Sequence, residues 1–159
     1  MQLYLDLDGV FANFDGFCNS LGINYLENPS KAWEKLDKVP QLFQKLDPLP
    51  AASMLFEIVK SIVPNPIILT ALPILTNELI SAPTDKRAWV SMYLDPKLEV
   101  LTVPSWSCKK DYAKGNVLLD DSRRNILDWE YNSGIGIWHN SHDCANSIQL
   151  LRKIYDSTN

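Results

Sequence analysis

The chain has 159 residues, 46% hydrophobic and 21% charged, with a formal net charge of −4 at pH 7. That length fits one core domain with a small insertion, and the composition is that of an ordinary globular protein. The acidic balance excludes a broad basic face for duplex nucleic acid. Three cysteines, Cys18, Cys108 and Cys144, are odd in number and widely spaced. They predict a reducing compartment and free, mostly buried thiols, with neither a disulfide framework nor a zinc knuckle. No cationic and apolar leader pattern opens the sequence, and no stretch approaches ~18 uninterrupted apolar residues. The expected setting is cytoplasmic, away from membranes.

The first predicted element is a strand from Leu3 to Leu7, which runs into Asp6-Leu7-Asp8-Gly9-Val10. Residues i and i+2 of a strand share a face, so both acids project into the same space, and Gly9 is free to turn the chain. Two close carboxylates repel unless a cation or a shared proton sits between them. The pair therefore asks for a metal, a reaction, or both. From Gly16 to Pro50 the alternation of strand and helix breaks. This stretch holds Trp33, Phe43 and prolines at 29, 40, 48 and 50. A structureless loop of that length is improbable in a compact domain, so a small helical cap is predicted, with Trp33 and Phe43 in its core.

Beyond it, apolar residues at Ala51, Met54, Leu55, Ile58, Val59, Ile62 and Val63 predict a helix. A strand from Pro66 to Leu69 ends at Thr70. Thr84 is the expected cap of a second helix carrying Ala88, Trp89, Met92 and Tyr93 on one side, with Lys86 and Arg87 in its first turn. A strand from Leu98 to Val103 precedes Lys109, Lys110 and Lys114. A strand from Val117 to Leu119 precedes Asp120-Asp121, after which Ser122 opens a helix holding Ile126, Leu127 and Glu130. A strand from Gly134 to Trp138 and a helix from about Asp143 to Tyr155 complete the chain. Strands alternating with helices predict an α/β fold, a parallel sheet covered on both faces. His139 and His142 have no third ligand in register, so no zinc site is expected.

Carboxylate, hydroxyl, amine and carboxylate thus lie beyond four strand ends, where α/β sheets place their sites. The set suits phosphoryl transfer. A carboxylate attacks phosphorus once its charge is shielded, Mg²⁺ with hard oxygen ligands supplies that shielding, and a lysine and a hydroxyl hold the equatorial oxygens. A second acid protonates the leaving alkoxide and later deprotonates water.

In these motifs the chain resembles the haloacid dehalogenase (HAD) superfamily of phosphohydrolases. Asp6-Leu7-Asp8-Gly9-Val10 matches its first motif, Leu69-Thr70 its second, and Leu118-Leu119-Asp120-Asp121 its fourth. A narrower similarity is to the 5′(3′)-deoxyribonucleotidases. It is carried by Asp8-Gly9-Val10-Phe11-Ala12-Asn13-Phe14, Lys86-Arg87-Ala88-Trp89-Val90, Asp120-Asp121-Ser122-Arg123 and Ile137-Trp138-His139-Asn140. Ala71 departs from the pattern, since a second hydroxyl is common after the second-motif threonine.

The resemblance implies a Rossmann-like five-stranded HAD core (residues 1–15 and 51–159) with a C1-type cap (residues 16–50), the first strand lying between the second and fourth. It makes Asp6 the nucleophile and Asp8 the acid/base. It assigns Mg²⁺ to the Asp6 carboxylate, the Asp8 carbonyl, and a side chain of Asp120 or Asp121. The third-motif lysine is assigned to Lys110 over Lys109 and Lys114, since Lys110 lies ten positions before Asp120. With Thr70 it would hold phosphate. Phe14 would line a nucleobase pocket, and Gly9, Ala71 and Lys86 complete the substrate-binding set. The implied function is Mg²⁺-dependent dephosphorylation of nucleoside monophosphates, with a small nucleotide as partner and a homodimer as a compatible assembly. The alternatives are a HAD phosphatase for a sugar phosphate or a nucleic-acid 3′-phosphate end, and a non-catalytic nucleotide-binding module.

Overall fold

A computed structural model describes residues 1–25 and 27–156 of the chain. Five parallel strands form its centre: β1 (Leu3–Leu5), β2 (Ile67–Ala71), β3 (Val100–Val103), β4 (Val117–Asp120) and β5 (Ile135–Trp138). Their order is β3-β2-β1-β4-β5, so β1 lies between β2 and β4. Leu5 is in register with Ile68 on one side and Leu119 on the other, and Asp6 extends the pairing by donating its N–H to the Leu119 carbonyl at 2.9 Å. The strand order switches sides at β1, with β2 and β3 on one side and β4 and β5 on the other. In open parallel sheets such a switch point sets the ligand crevice at the strand's carboxyl end. Thr70 lies inside β2, paired with Thr102, instead of beyond the strand as the sequence suggested.

Six α-helices among the described residues surround the sheet: α1 (Phe14–Ser20), α2 (Pro29–Leu36), α3 (Ala52–Ile62), α4 (Ala82–Tyr93), α5 (Arg123–Tyr131) and α6 (Ala145–Asp156). Strands buried on both faces read as continuous apolar runs, and alternate residues serve opposite layers. Leu3, Leu5, Val117 and Leu119 join the core of Leu55, Phe56, Val59, Trp89 and Leu151, from α3, α4 and α6. Tyr4, Leu69 and Leu118 join Ile126 and Trp129 of α5 on the other face. There the Tyr4 ring meets Trp129 edge-on at 5.6 Å. Full burial of such side chains contributes about 1.5–3 kcal/mol each.

Three helices differ in phase or start from the sequence expectation. In α3, Phe56 points inward and Met54 is exposed. In α5, Ser122 caps as expected, its hydroxyl accepting from the Asn125 N–H, but Trp129 is buried and Leu127 exposed. The largest difference is α4. It starts at Ala82 with Pro83 in its first turn, straight after a 3-10 turn at Asn77–Ser81, so Thr84 is an exposed residue within the helix and not its cap. Proline is pre-organised for that position. Its inward stripe is Ala82, Asp85, Lys86, Trp89 and Val90, while Met92 is exposed. Two charged residues on the buried face hid the true phase from the apolar pattern.

Between β1 and α3 the chain makes a helical excursion. Asn13 caps α1 by accepting from the Gly16 N–H at 2.9 Å, and Asn28 caps α2 by accepting from Lys31 N–H at 3.1 Å, with Pro29 opening that helix. A 3-10 turn at Leu42–Lys45 follows. The neck is held by backbone bonds from Asn13 N–H to Asp47 and from Leu49 N–H to Phe11, at 2.9 and 2.7 Å. The excursion thus opens at Phe14. All three cysteines are free, with Cys18 and Cys144 buried. Among the described residues no helix is long and apolar enough to cross a membrane.

Candidate active site

Asp6 and Asp8 leave β1 into the crevice, and each meets a different buried lysine. The Asp6 carboxylate, 8% exposed as a residue, accepts from the Leu7 N–H and pairs with the Lys109 ammonium, both at 2.8 Å. Lys109 also pairs with Asp120 at 2.7 Å. Asp120 is fully buried at the end of β4, where the Ser122 N–H and the Asn125 amide also donate to its carboxylate. Burial works against the charge on Lys109, but Asp6 and Asp120 outweigh it and raise its pKa. Asp8 pairs with Lys86, which is fully buried on α4 and also donates to the Thr70 hydroxyl at 2.8 Å. The other Asp8 oxygen is buried with no hydrogen-bond partner among the described residues.

Gly9 is required by geometry. Its φ of +78° lies in the left-handed region, and a Cβ there would collide with the Asp121 carboxylate. That close approach brings the turn after β1 against the turn after β4. One carboxylate oxygen from each of Asp6, Asp120 and Asp121 then lies within 4.8 Å of the others.

The lysine at Asp6 and Asp120 is Lys109, whereas the expected Lys110 is exposed, as is Lys114. Both candidates stand in the 3-10 turn Trp106–Tyr112, where a one-residue difference decides which side chain turns inward. Lys86 lies in the crevice, while Arg87 is exposed and bonds the Pro83 carbonyl at 3.0 Å. Ala71 ends β2 one residue past Thr70. Phe14 is half-buried and packs against Tyr25, Trp33 and Phe43, with centroids at 5.4, 5.8 and 6.3 Å. The Lys86 ammonium lies 4.4 Å from the Phe43 centroid, so this aromatic group borders the crevice. Asn125, which anchors Asp120, was not singled out by sequence reasoning. Its position three residues into the turn capped by Ser122 was the available signal. His139 is buried, and its Nδ1 lies 3.0 Å from the Ser147 hydroxyl.

No protein-family model matches the chain, and a search of curated proteins finds no significant match. The chemistry of the crevice must therefore be read from its own groups. Four carboxylates face two ammonium groups. Burial, and then the charge of Asp120, push the Asp6 carboxyl up to about 8; Lys109 opposes this, while Asp8 and Asp121 add to it. Asp121 reaches solvent, but desolvation by its neighbours and the charge of Asp120 raise it to about 7. Carboxylates that resist ionisation in one another's presence are suited to a cation between them. Hard oxygen donors at this spacing fit Mg²⁺, which takes one or two carboxylates and keeps several waters. The donor set thus fits the ion that the motifs imply.

Proposed function

We propose that the chain is a Mg²⁺-dependent phosphomonoesterase of the HAD type, acting on nucleoside monophosphates and preferentially on deoxyribonucleotides. The observation that carries this reading is the division of labour at the end of β1: Asp6 is held by Lys109 beside Asp120 and Asp121, while Asp8 is held by Lys86 beside Thr70. A nucleophile and a proton shuttle need different surroundings, and these two acids have them. In this reading the helical excursion after β1 is the cap, and its aromatic group of Phe14, Trp33 and Phe43 offers apolar faces to a base.

Asp6 attacks phosphorus in line with the ester oxygen; its new O–P bond forms as the bond to the leaving alkoxide breaks. Asp8, entering the step protonated, gives that alkoxide its proton. Asp8 then takes a proton from water, whose oxygen attacks the aspartyl-phosphate and releases inorganic phosphate and free Asp6. Lys86 and the Thr70 hydroxyl, bonded to each other, would hold the equatorial oxygens, and Lys109 would orient Asp6 and balance its charge. Asp6, the Asp8 carbonyl and a carboxylate of Asp120 or Asp121 would hold Mg²⁺, which would supply charge neutralisation.

The test is a panel of phosphomonoesters assayed with Mg²⁺. Deoxynucleoside monophosphates are expected to be hydrolysed fastest, and Asp6→Asn and Asp8→Asn each to abolish turnover in a protein that still melts cooperatively. Equal turnover of sugar phosphates and nucleotides would remove the nucleotide assignment. Inertness toward every ester in saturating Mg²⁺ would leave a binding module instead.

A further inference from the structure

We propose that the cap turn Leu42–Lys45 is a positioning clip for the Lys86 ammonium, with Gln44 and Asp85 as its positioning residues. The proposal builds on the phosphatase reading, in which Lys86 meets the phosphate. Three neighbouring contacts tie this turn and the residue after it to one face of α4. The Phe43 ring covers the Lys86 ammonium at 4.4 Å, the Gln44 amide donates to Asp85 Oδ1 at 2.8 Å, and Trp89 Nε1 donates to the Leu46 carbonyl at 2.7 Å.

Asp85 makes the arrangement unlike ordinary packing. It is 1% exposed, and its second oxygen accepts from the Ser81 hydroxyl at 2.7 Å. A buried carboxylate is costly unless its oxygens are hydrogen-bonded, and an apolar residue would pack there more simply. Its placement next to Lys86 couples the first turn of α4 to a segment 41 residues earlier. The turn itself starts from Gln41 in the left-handed conformation, φ 51°, which tertiary contacts must hold in a residue other than glycine.

A lysine gains from such a stop. Its four-carbon stem carries about 2 kcal/mol of rotamer entropy, so an unsupported ammonium would sample many positions. Thr70 and Asp8 fix Lys86 from the strand side, and Phe43 closes the cap side. Gln44 in turn fixes Phe43, its chain neighbour. The aromatic group and the phosphate-facing ammonium then form one rigid unit.

The experiment reads Lys86 directly, in ¹H–¹⁵N spectra of protein labelled at lysine nitrogen. A buried, hydrogen-bonded ammonium exchanges slowly enough to be seen; Lys86→Met and Lys109→Met assign the two signals. Gln44→Met keeps the bulk and loses the donor. It is expected to shift or broaden the Lys86 signal, leave that of Lys109 in place, and weaken inorganic phosphate binding in calorimetry with Mg²⁺ by about tenfold. Asp85→Asn can still accept from Gln44 and donate to Ser81, and is expected to retain the signal and the affinity. Gln44→Asn, too short to reach Asp85, tests the same bond should Gln44→Met not fold. A lower melting temperature with both the Lys86 signal and phosphate affinity unchanged would reduce the clip to packing and overturn the proposal. If the wild-type chain hydrolyses no ester, the phosphatase reading fails while the Lys86 signal still decides the clip.

Discussion

Lys109 bridges Asp6 and Asp120 inside the crevice, while its neighbour Lys110 is exposed. Replacing each by methionine separates them. Lys109→Met leaves two buried carboxylates without their shared cation; it is expected to cost roughly 3 kcal/mol of stability, as when one partner of a buried pair is removed. Under the proposed phosphatase function it should also lower turnover by about 10²-fold, the usual effect of losing one preorganised charge at a reacting centre. Lys110→Met should stay within about 0.5 kcal/mol of the parent in urea unfolding and keep its turnover. Equal effects of the two would refute the assignment. The residue types of the crevice were legible because strand ends followed by acids are conspicuous in any sequence. The choice between adjacent lysines was not, because the spacing rule used to select Lys110 fixes a position only within a residue. In a 3-10 turn that residue decides between core and water.

The same limit governs elements. Apolar periodicity found the helix at 82–93 but put Ala88, Trp89, Met92 and Tyr93 on its inner side, whereas Asp85, Lys86, Trp89 and Val90 face inward. Charged residues count as solvent-facing in any hydrophobic pattern, so a helix that buries charge for a site is misread by about one residue. Trp89 and Met92 test the observed phase. Trp89 is 1% exposed, packs against Tyr93 at a 4.9 Å centroid distance and donates to the Leu46 carbonyl, so Trp89→Ala is expected to cost about 3–5 kcal/mol. Met92 is 67% exposed, and Met92→Ala should change the urea midpoint by less than about 0.5 kcal/mol allows. Comparable losses would show that α4 presents another face. The strands posed less difficulty. Runs such as Val117-Leu118-Leu119 are buried on both sides, so no phase had to be chosen, and only their ends moved by a residue or two.

At the scale of the whole molecule, the crevice sets stability against site chemistry, and pH exposes the balance. Asp6 and Asp121 titrate at about 8 and about 7 in the folded chain, against 3.8 for a free aspartate. An acid whose pKa is raised by folding binds its proton more tightly when folded, so it contributes stability that is fully present below the unfolded value. That contribution is lost as pH rises through the folded value. The metal-free chain is therefore expected to lose stability between roughly pH 4 and pH 8, where each retained proton is worth up to about 1.4 kcal/mol per pH unit. If the folded chain binds Mg²⁺ as proposed, the ion competes with these protons, so its stabilisation should grow over the same interval. Thermal melts at pH 5 and pH 8, with and without saturating Mg²⁺, check this. The melting temperature without metal should fall toward pH 8, and the rise on adding Mg²⁺ should be larger there. Asp121→Asn removes one charge from the cluster; it should raise the metal-free melting temperature at pH 8 and shrink the response to Mg²⁺. A response to Mg²⁺ that is the same at both pH values would mean that the ion binds elsewhere. If Asp121→Asn leaves both quantities unchanged, that carboxylate takes no part in the cluster, and the repulsion is carried by Asp6, Asp8 and Asp120.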